Sequence, residues 1–136
     1  MKLQFGMVGG GNGAFIGNVH RKAAQMDDLA ELAAGCFSRN MEKNQETAEA
    51  WNVKDPSRVY SSWKEMADKE AQRENKIDFV VIVTPTNTHY EIAKYYLEAG
   101  FHVVCDKPIA LTAGEGAELK RIAAEKDLLF GVTYTY

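Results

Sequence analysis

"FGMVGGGNGAFIGNVH", residues 5–20, begins inside the apolar run Leu3 to Val8 and, after that run, carries glycines at positions 9, 10, 11, 13 and 17. Glycine is entropically costly inside regular structure, so a cluster of this density marks backbone that must bend sharply or lie bare. The run before it has the length of a strand, and the segment after it, Ile16 to Met26, has the length of a helix. Strand, glycine turn, helix is the opening unit of an α/β sheet.

The remaining chain repeats that order. Leu32 to Phe37, Phe79 to Val83, Val103 to Cys105 and Leu128 to Val132 are strand-like, and a short extra strand fits at Val59 and Tyr60. "FVVIV" (79–83) and "HVVC" (102–105) are too continuously apolar for a half-exposed strand, which predicts burial on both faces. Between them, 41–51, 63–73, 90–99 and 113–125 have helical length, with Ile92, Ala93, Tyr96 and Leu97 on one apolar face. Gly100 closes one helix, and Thr112 or Asn87 can open the next. Alternating strands and helices predict parallel strands joined by right-handed crossovers: a Rossmann-type, doubly wound, mainly parallel sheet with helices on both faces, as one domain over 1–136.

Composition bounds the function. The chain has 136 residues, 46% hydrophobic and 26% charged, with formal net charge −3, which offers no electrostatic case for nucleic acid. Neither a signal-peptide core nor an 18-residue apolar span is present, so no membrane partner is expected and a cytoplasmic location is. Cys36 and Cys105 end apolar runs and read as buried thiols, and no metal site is expected.

In such a sheet the first strand-to-helix turn is the phosphate site. Gly9 ends the strand in a tight bend, Gly11 removes a side chain where backbone approaches a pyrophosphate, and Ala14 completes G-x-G-x-x-A, although Gly13, Ala14 and Gly17 all compete for the third small position. A P-loop is excluded because no Lys-Ser or Lys-Thr follows the glycines. At the end of the second strand, "CFSRN" (36–40) lacks the acid that would accept bonds from a ribose 2′-hydroxyl. Ser38 and Arg39 suit a 2′-phosphate instead, so NADP(H) is the expected cofactor, with NAD as the alternative.

Across 80–112 the chain resembles the amino-terminal domain of the Gfo/Idh/MocA oxidoreductases, the glucose-fructose oxidoreductase and inositol dehydrogenase family. The likeness rests on Gly9, Gly11 and His20, on Thr84-Pro85-x-x-x-His89, on "EAG" closing the next helix, and on the triplet Asp106-Lys107-Pro108, and it extends over essentially the whole chain. It implies an NAD(P)-dependent dehydrogenase of a sugar or cyclitol hydroxyl, with Gly9, Gly11, Asn12, Gly13, Ala14 and Phe15 at the phosphates and Thr84, Pro85, Asn87 and His89 beside ribose and nicotinamide. It also implies that Asp106, Lys107 and Pro108 border the nicotinamide, with Lys107 as the catalytic group. An ammonium at a strand end can stabilise a developing alkoxide or shuttle a proton. Asp106 stands where the family usually has Glu, and a cis bond before Pro108 would aim Lys107. His20 and His89 can each also be satisfied locally, and a packed role is expected for His20. The resemblance further implies a homo-oligomer and a second, substrate-binding domain beyond this chain. On that expectation the piece alone binds dinucleotide without oxidising polyols and self-associates through Leu128 to Tyr136. A nucleotide sensor on the same fold is the competing class; Tyr134 and Tyr136 read as simple strand alternation.

Overall fold

The computed structural model describes residues 1–11 and 13–134. Its five strands, β1 (Leu3–Gly9), β2 (Ala30–Cys36), β3 (Phe79–Val83), β4 (His102–Asp106) and β5 (Phe130–Thr133), form one parallel sheet in the order β2-β1-β3-β4-β5. The helices are α1 (Phe15–Gln25), α2 (Met41–Ala50), α3 (Trp63–Ala71), α4 (His89–Glu98) and α5 (Ala113–Glu125). The chain winds outward from β1 to β2, returns through α3 to β3 on the other side of β1, and continues outward to β5. Because the two halves wind in opposite directions, right-handed crossovers put their helices on opposite faces.

Alternation within the strands builds two cores. Val80 and Ile82 join the cluster containing Met66, Ile92, Tyr96, Leu97, Leu119 and Ile122 from α3, α4 and α5. Val81 and Val83 point the other way, into a cluster with Phe5, Met7, Ala48 and Trp51 that Ile16 and Ala24 of α1 also pack against. The expected two-faced burial of "FVVIV" follows directly. The extra strand at Val59 and Tyr60 is reduced to a single parallel bridge, Gly35 to Val59, because the Pro56–Arg58 3-10 turn ends just before it and α3 begins three residues after it.

Element ends follow capping chemistry. Asn40, Ser62 and Thr112 each accept a backbone N–H at the start of α2, α3 and α5. Gly100, at φ +94°, closes α4: its N–H donates to Leu97 O (3.0 Å), and Phe101 N–H donates to Tyr96 O (3.0 Å). Asn87 does not cap α4. It sits inside the 3-10 turn Thr86–Thr88, which runs directly into that helix. β5 begins two residues later than expected because Leu128 N–H still donates to Ala123 O in closing α5. Tyr134 lies past the strand and is exposed, so strand alternation does not account for it; Tyr136 is outside the described residues.

Candidate functional site

Parallel pairing puts every strand's carboxyl end on one edge of the sheet. Val8 pairs with Cys36, Gly9 with Val83, Ile82 with Cys105, and Asp106 with Thr133. The glycine turn, the Thr84–Pro85 turn and the Asp106–Pro108 turn therefore stand side by side. Winding reverses between β1 and β3, and that is where an open α/β sheet binds its ligand.

The glycine turn departs from the expected division of labour. Ala14 is exposed, whereas Gly17 lies against Gly10: a Cβ on Gly17 would fall 2.2 Å from Gly10 O. Gly17 is thus the residue that lets α1 approach the turn. Gly11 N–H donates to Phe37 O (3.1 Å), tying the turn to the end of β2. Gly9 (φ +85°) has no room for a side chain, since a Cβ would meet Thr84 Cγ2 and Val83 O at 2.9 Å each. Among the described residues no side chain caps α1, and an uncapped helix N-terminus favours negative charge nearby. Asn12 lies outside the described residues.

Paired substitutions test this packing. Gly17→Ala should cost about 1–3 kcal/mol in urea unfolding, because backbone cannot move aside as a side chain can. Gly116→Ala in α5, whose Cβ would have only an ordinary contact of 3.5 Å with Ile109 Cδ1, should instead gain about 0.5–1 kcal/mol. Equal signs for the two would mean that the α1–turn contact is not the constraint.

A cleft of about 340 Å³ opens beside the turn, lined by Gly9, Gly10, Cys36, Phe37, Ser38, Arg39, Trp63, Val83, Thr84, Pro85, Thr88 and Ile92 among others. Of the residues expected from sequence it gathers Gly9, Ser38, Arg39, Thr84 and Pro85. Ser38 Oγ accepts from Asn40 N–H (3.1 Å), so its own proton is available to a ligand. The Thr88 hydroxyl donates to Pro85 O (2.6 Å) and pairs with the Thr84 hydroxyl (2.7 Å), which shapes the opposite wall. Gly13, Ala14 and Phe15 line a separate hollow with Asn18, Val19, Lys22 and Trp51. Trp63, Thr88 and Gly10 were not expected here; the only local signal was their position just after an N-cap, inside the Thr-Pro turn and within the glycine run.

The third turn carries the charged groups. Asp106 Oδ1 accepts from Lys107 N–H (3.0 Å) and from the Thr133 hydroxyl (3.2 Å). Lys107 and Pro108 are exposed, and the bond between them is cis. His89 is buried, with Nδ1 2.7 Å from Pro108 O and Nε2 2.8 Å from Thr84 O. His20 is also buried, as expected of a packed residue. Its Nε2 has no hydrogen-bond partner among the described residues and stands 3.7 Å from Asp106 Oδ1. Burial pushes the His20 ring down from its ordinary value against the pull of Asp106. Burial likewise pushes the Cys36 thiol up to about 11 and the Cys105 thiol up to about 12, so neither offers a thiolate nucleophile. Among the described residues no group of three His, Cys, Asp or Glu side chains is placed to hold a metal, and no helix is long and apolar enough to cross a membrane.

Residues 3–134 match the family GFO_IDH_MocA, described as an oxidoreductase family with an NAD-binding Rossmann fold. The oxidoreductase YfiI of Bacillus subtilis is 42% identical over 135 residues, covering 98% of this chain and 34% of that protein. A second protein of that bacterium, scyllo-inositol 2-dehydrogenase (NADP(+)) IolW, is 42% identical over 64 residues, 47% of this chain and 18% of its own length. The crystal structure of an inositol dehydrogenase homolog from Azotobacter vinelandii, complexed with NADH and myo-inositol, superposes with a TM-score of 0.95 at 38% identity, covering 98% of this chain and 35% of that one. The chain thus spans about a third of the length of these two full-coverage relatives.

Proposed function

Since this chain belongs to the Gfo/Idh/MocA family of NAD-binding, Rossmann-fold oxidoreductases, we propose that it is the dinucleotide-binding part of an NADP(H)-preferring dehydrogenase acting on a hydroxyl of a sugar or cyclitol. The cleft that joins the glycine turn to Ser38 and Arg39 carries the proposal. Its residues fit a dinucleotide. Gly9 leaves the backbone bare beside Thr84, the start of α1, which no described side chain caps, suits the pyrophosphate, and no carboxylate occurs in 36–40 to repel a 2′-phosphate.

A bound nicotinamide dinucleotide would supply the hydride acceptor or donor. The chain's own part is to orient it and to manage the substrate proton. Lys107, at the same edge of the sheet, is the group we assign to the substrate oxygen, where its ammonium stabilises negative charge or passes a proton. The substrate class is supported by the two relatives whose names specify an inositol.

Titration with NADPH and NADH tests the cofactor assignment, with Trp63 in the cleft as a fluorescence reporter. NADPH should bind more tightly. Arg39→Ala should weaken NADPH by about 1.5–3 kcal/mol, the scale of a hydrogen bond to a charged group, and leave NADH nearly unchanged. Tighter NADH binding, or equal losses for both, would reverse the assignment.

A further inference from the structure

We propose that His89 is a positioning residue: it ties the turn after β3 to the turn after β4 and so sets where the Lys107 ammonium stands, without touching substrate or cofactor. The proposal rests on the role assigned to Lys107 above. His89 is only 1% exposed, and its ring bridges two backbone carbonyls from different turns, Pro108 O at 2.7 Å and Thr84 O at 2.8 Å. Each bond requires a proton on its own ring nitrogen, since a carbonyl oxygen only accepts: a ring protonated on Nδ1 alone makes the Pro108 bond, and only the doubly protonated ring makes both.

The two ends of this tie differ in rigidity. His89 is the first residue of α4, which is anchored in the core by Ile92, Ala93, Tyr96 and Leu97, each no more than 1% exposed. Lys107 and Pro108 are exposed. On one side of the dipeptide, Asp106 is held by the Thr133 hydroxyl; on the other, the Pro108 carbonyl is held by His89. Thr84 also lines the cofactor cleft, so one buried ring connects the wall of that cleft to the lysine turn. A positioning tie of this kind matters for rate, because a displacement of about 1 Å at a reacting group can cost about 10²-fold.

The two ring nitrogens can be separated by substitution. In His89→Asn the side-chain amide reaches the place of Nδ1 and keeps the Pro108 bond; in His89→Gln it reaches the place of Nε2 and keeps only the Thr84 bond. Turnover is read in the holoenzyme, meaning the intact dehydrogenase of which this chain is the dinucleotide-binding part, with NADP+ and a panel of inositols and aldoses. His89→Asn should retain most of kcat, while His89→Gln should lose about 10- to 100-fold in kcat with KM and Kd for NADP(H) unchanged. Equal losses in both variants, or a loss of dinucleotide affinity in step with kcat, would overturn the proposal, because a purely structural role moves all three together. A reading independent of activity and of variant folding comes from NMR of the unsubstituted chain. It should show a slowly exchanging His89 Nδ1–H with Overhauser contacts to Pro108 and Ile109, and its absence overturns the tie outright. A holoenzyme that oxidises none of the panel would count against the proposed function instead, with the His89 spectrum still deciding the tie.

Discussion

Lys107→Ala should lower kcat of the holoenzyme by roughly 10²–10⁴-fold, the range that a positioned proton-transfer group supplies. The same substitution should move the melting temperature and the NADP(H) dissociation constant very little. Lys107 is exposed, and interactions of exposed charged side chains contribute only about 0–1 kcal/mol to stability. It also lies outside the lining of the cleft beside the glycine turn. The turn is shaped by other groups, Asp106 through Thr133 and Pro108 through His89, so the backbone should keep its course when the ammonium is removed. Steady-state turnover with a fixed polyol, alongside thermal unfolding and dinucleotide titration, separates the two effects. Turnover close to that of the unsubstituted enzyme would make Lys107 a solvated strand-end lysine and would favour a nucleotide-binding module without chemistry of its own.

Glu70→Ala carries the largest expected loss of stability, about 3–5 kcal/mol, or roughly 10–20 °C in melting temperature for a chain of this size. Glu70 has no exposed surface, and its carboxylate accepts from Arg58 Nε (3.0 Å) and Nη2 (2.6 Å), the Tyr60 hydroxyl (2.6 Å) and the Ile77 N–H (3.2 Å). Removing it strands a guanidinium that is only 3% exposed and retains one carbonyl, Asn75 O. Burial and then Glu70 itself push the Tyr60 phenol up, which keeps it a donor in this knot. The damage should also reach the cleft. Tyr60 N–H donates to Gly35 O of β2, and Tyr60 O accepts from Asn44, whose other amide atom receives Phe37 N–H just before Ser38 and Arg39. The double substitution Arg58→Met with Glu70→Leu should recover part of the loss, since apolar side chains leave no charge unpaired. A cost below about 1 kcal/mol for Glu70→Ala would place the pair with exposed ion pairs and sink the account.

The order of strands and helices and the doubly wound topology were legible in the sequence because each depends on local pattern. Apolar runs of strand length, helical spacing such as Ile92, Ala93, Tyr96 and Leu97, the Thr112 cap and the Gly100 stop all act within a few residues. The placement of Ser38 and Arg39 just past β2, in the same cleft as Gly9, follows from local order as well.

Tertiary structure decided what depends on residues far apart in the chain meeting across the sheet. It selected Gly17 over Ala14 as the close-packing residue because the answer lies in its distance to Gly10 O, which no glycine pattern encodes. It brought Trp63 and Thr88 to the cleft, paired Glu70 with Arg58, and spent both nitrogens of His89 on carbonyls 5 and 19 residues away. Hydropathy and turn chemistry are properties of neighbours along the chain. A contact between elements is set by strand register and helix packing, and a shift of one ångström there makes or breaks a hydrogen bond without altering any local pattern.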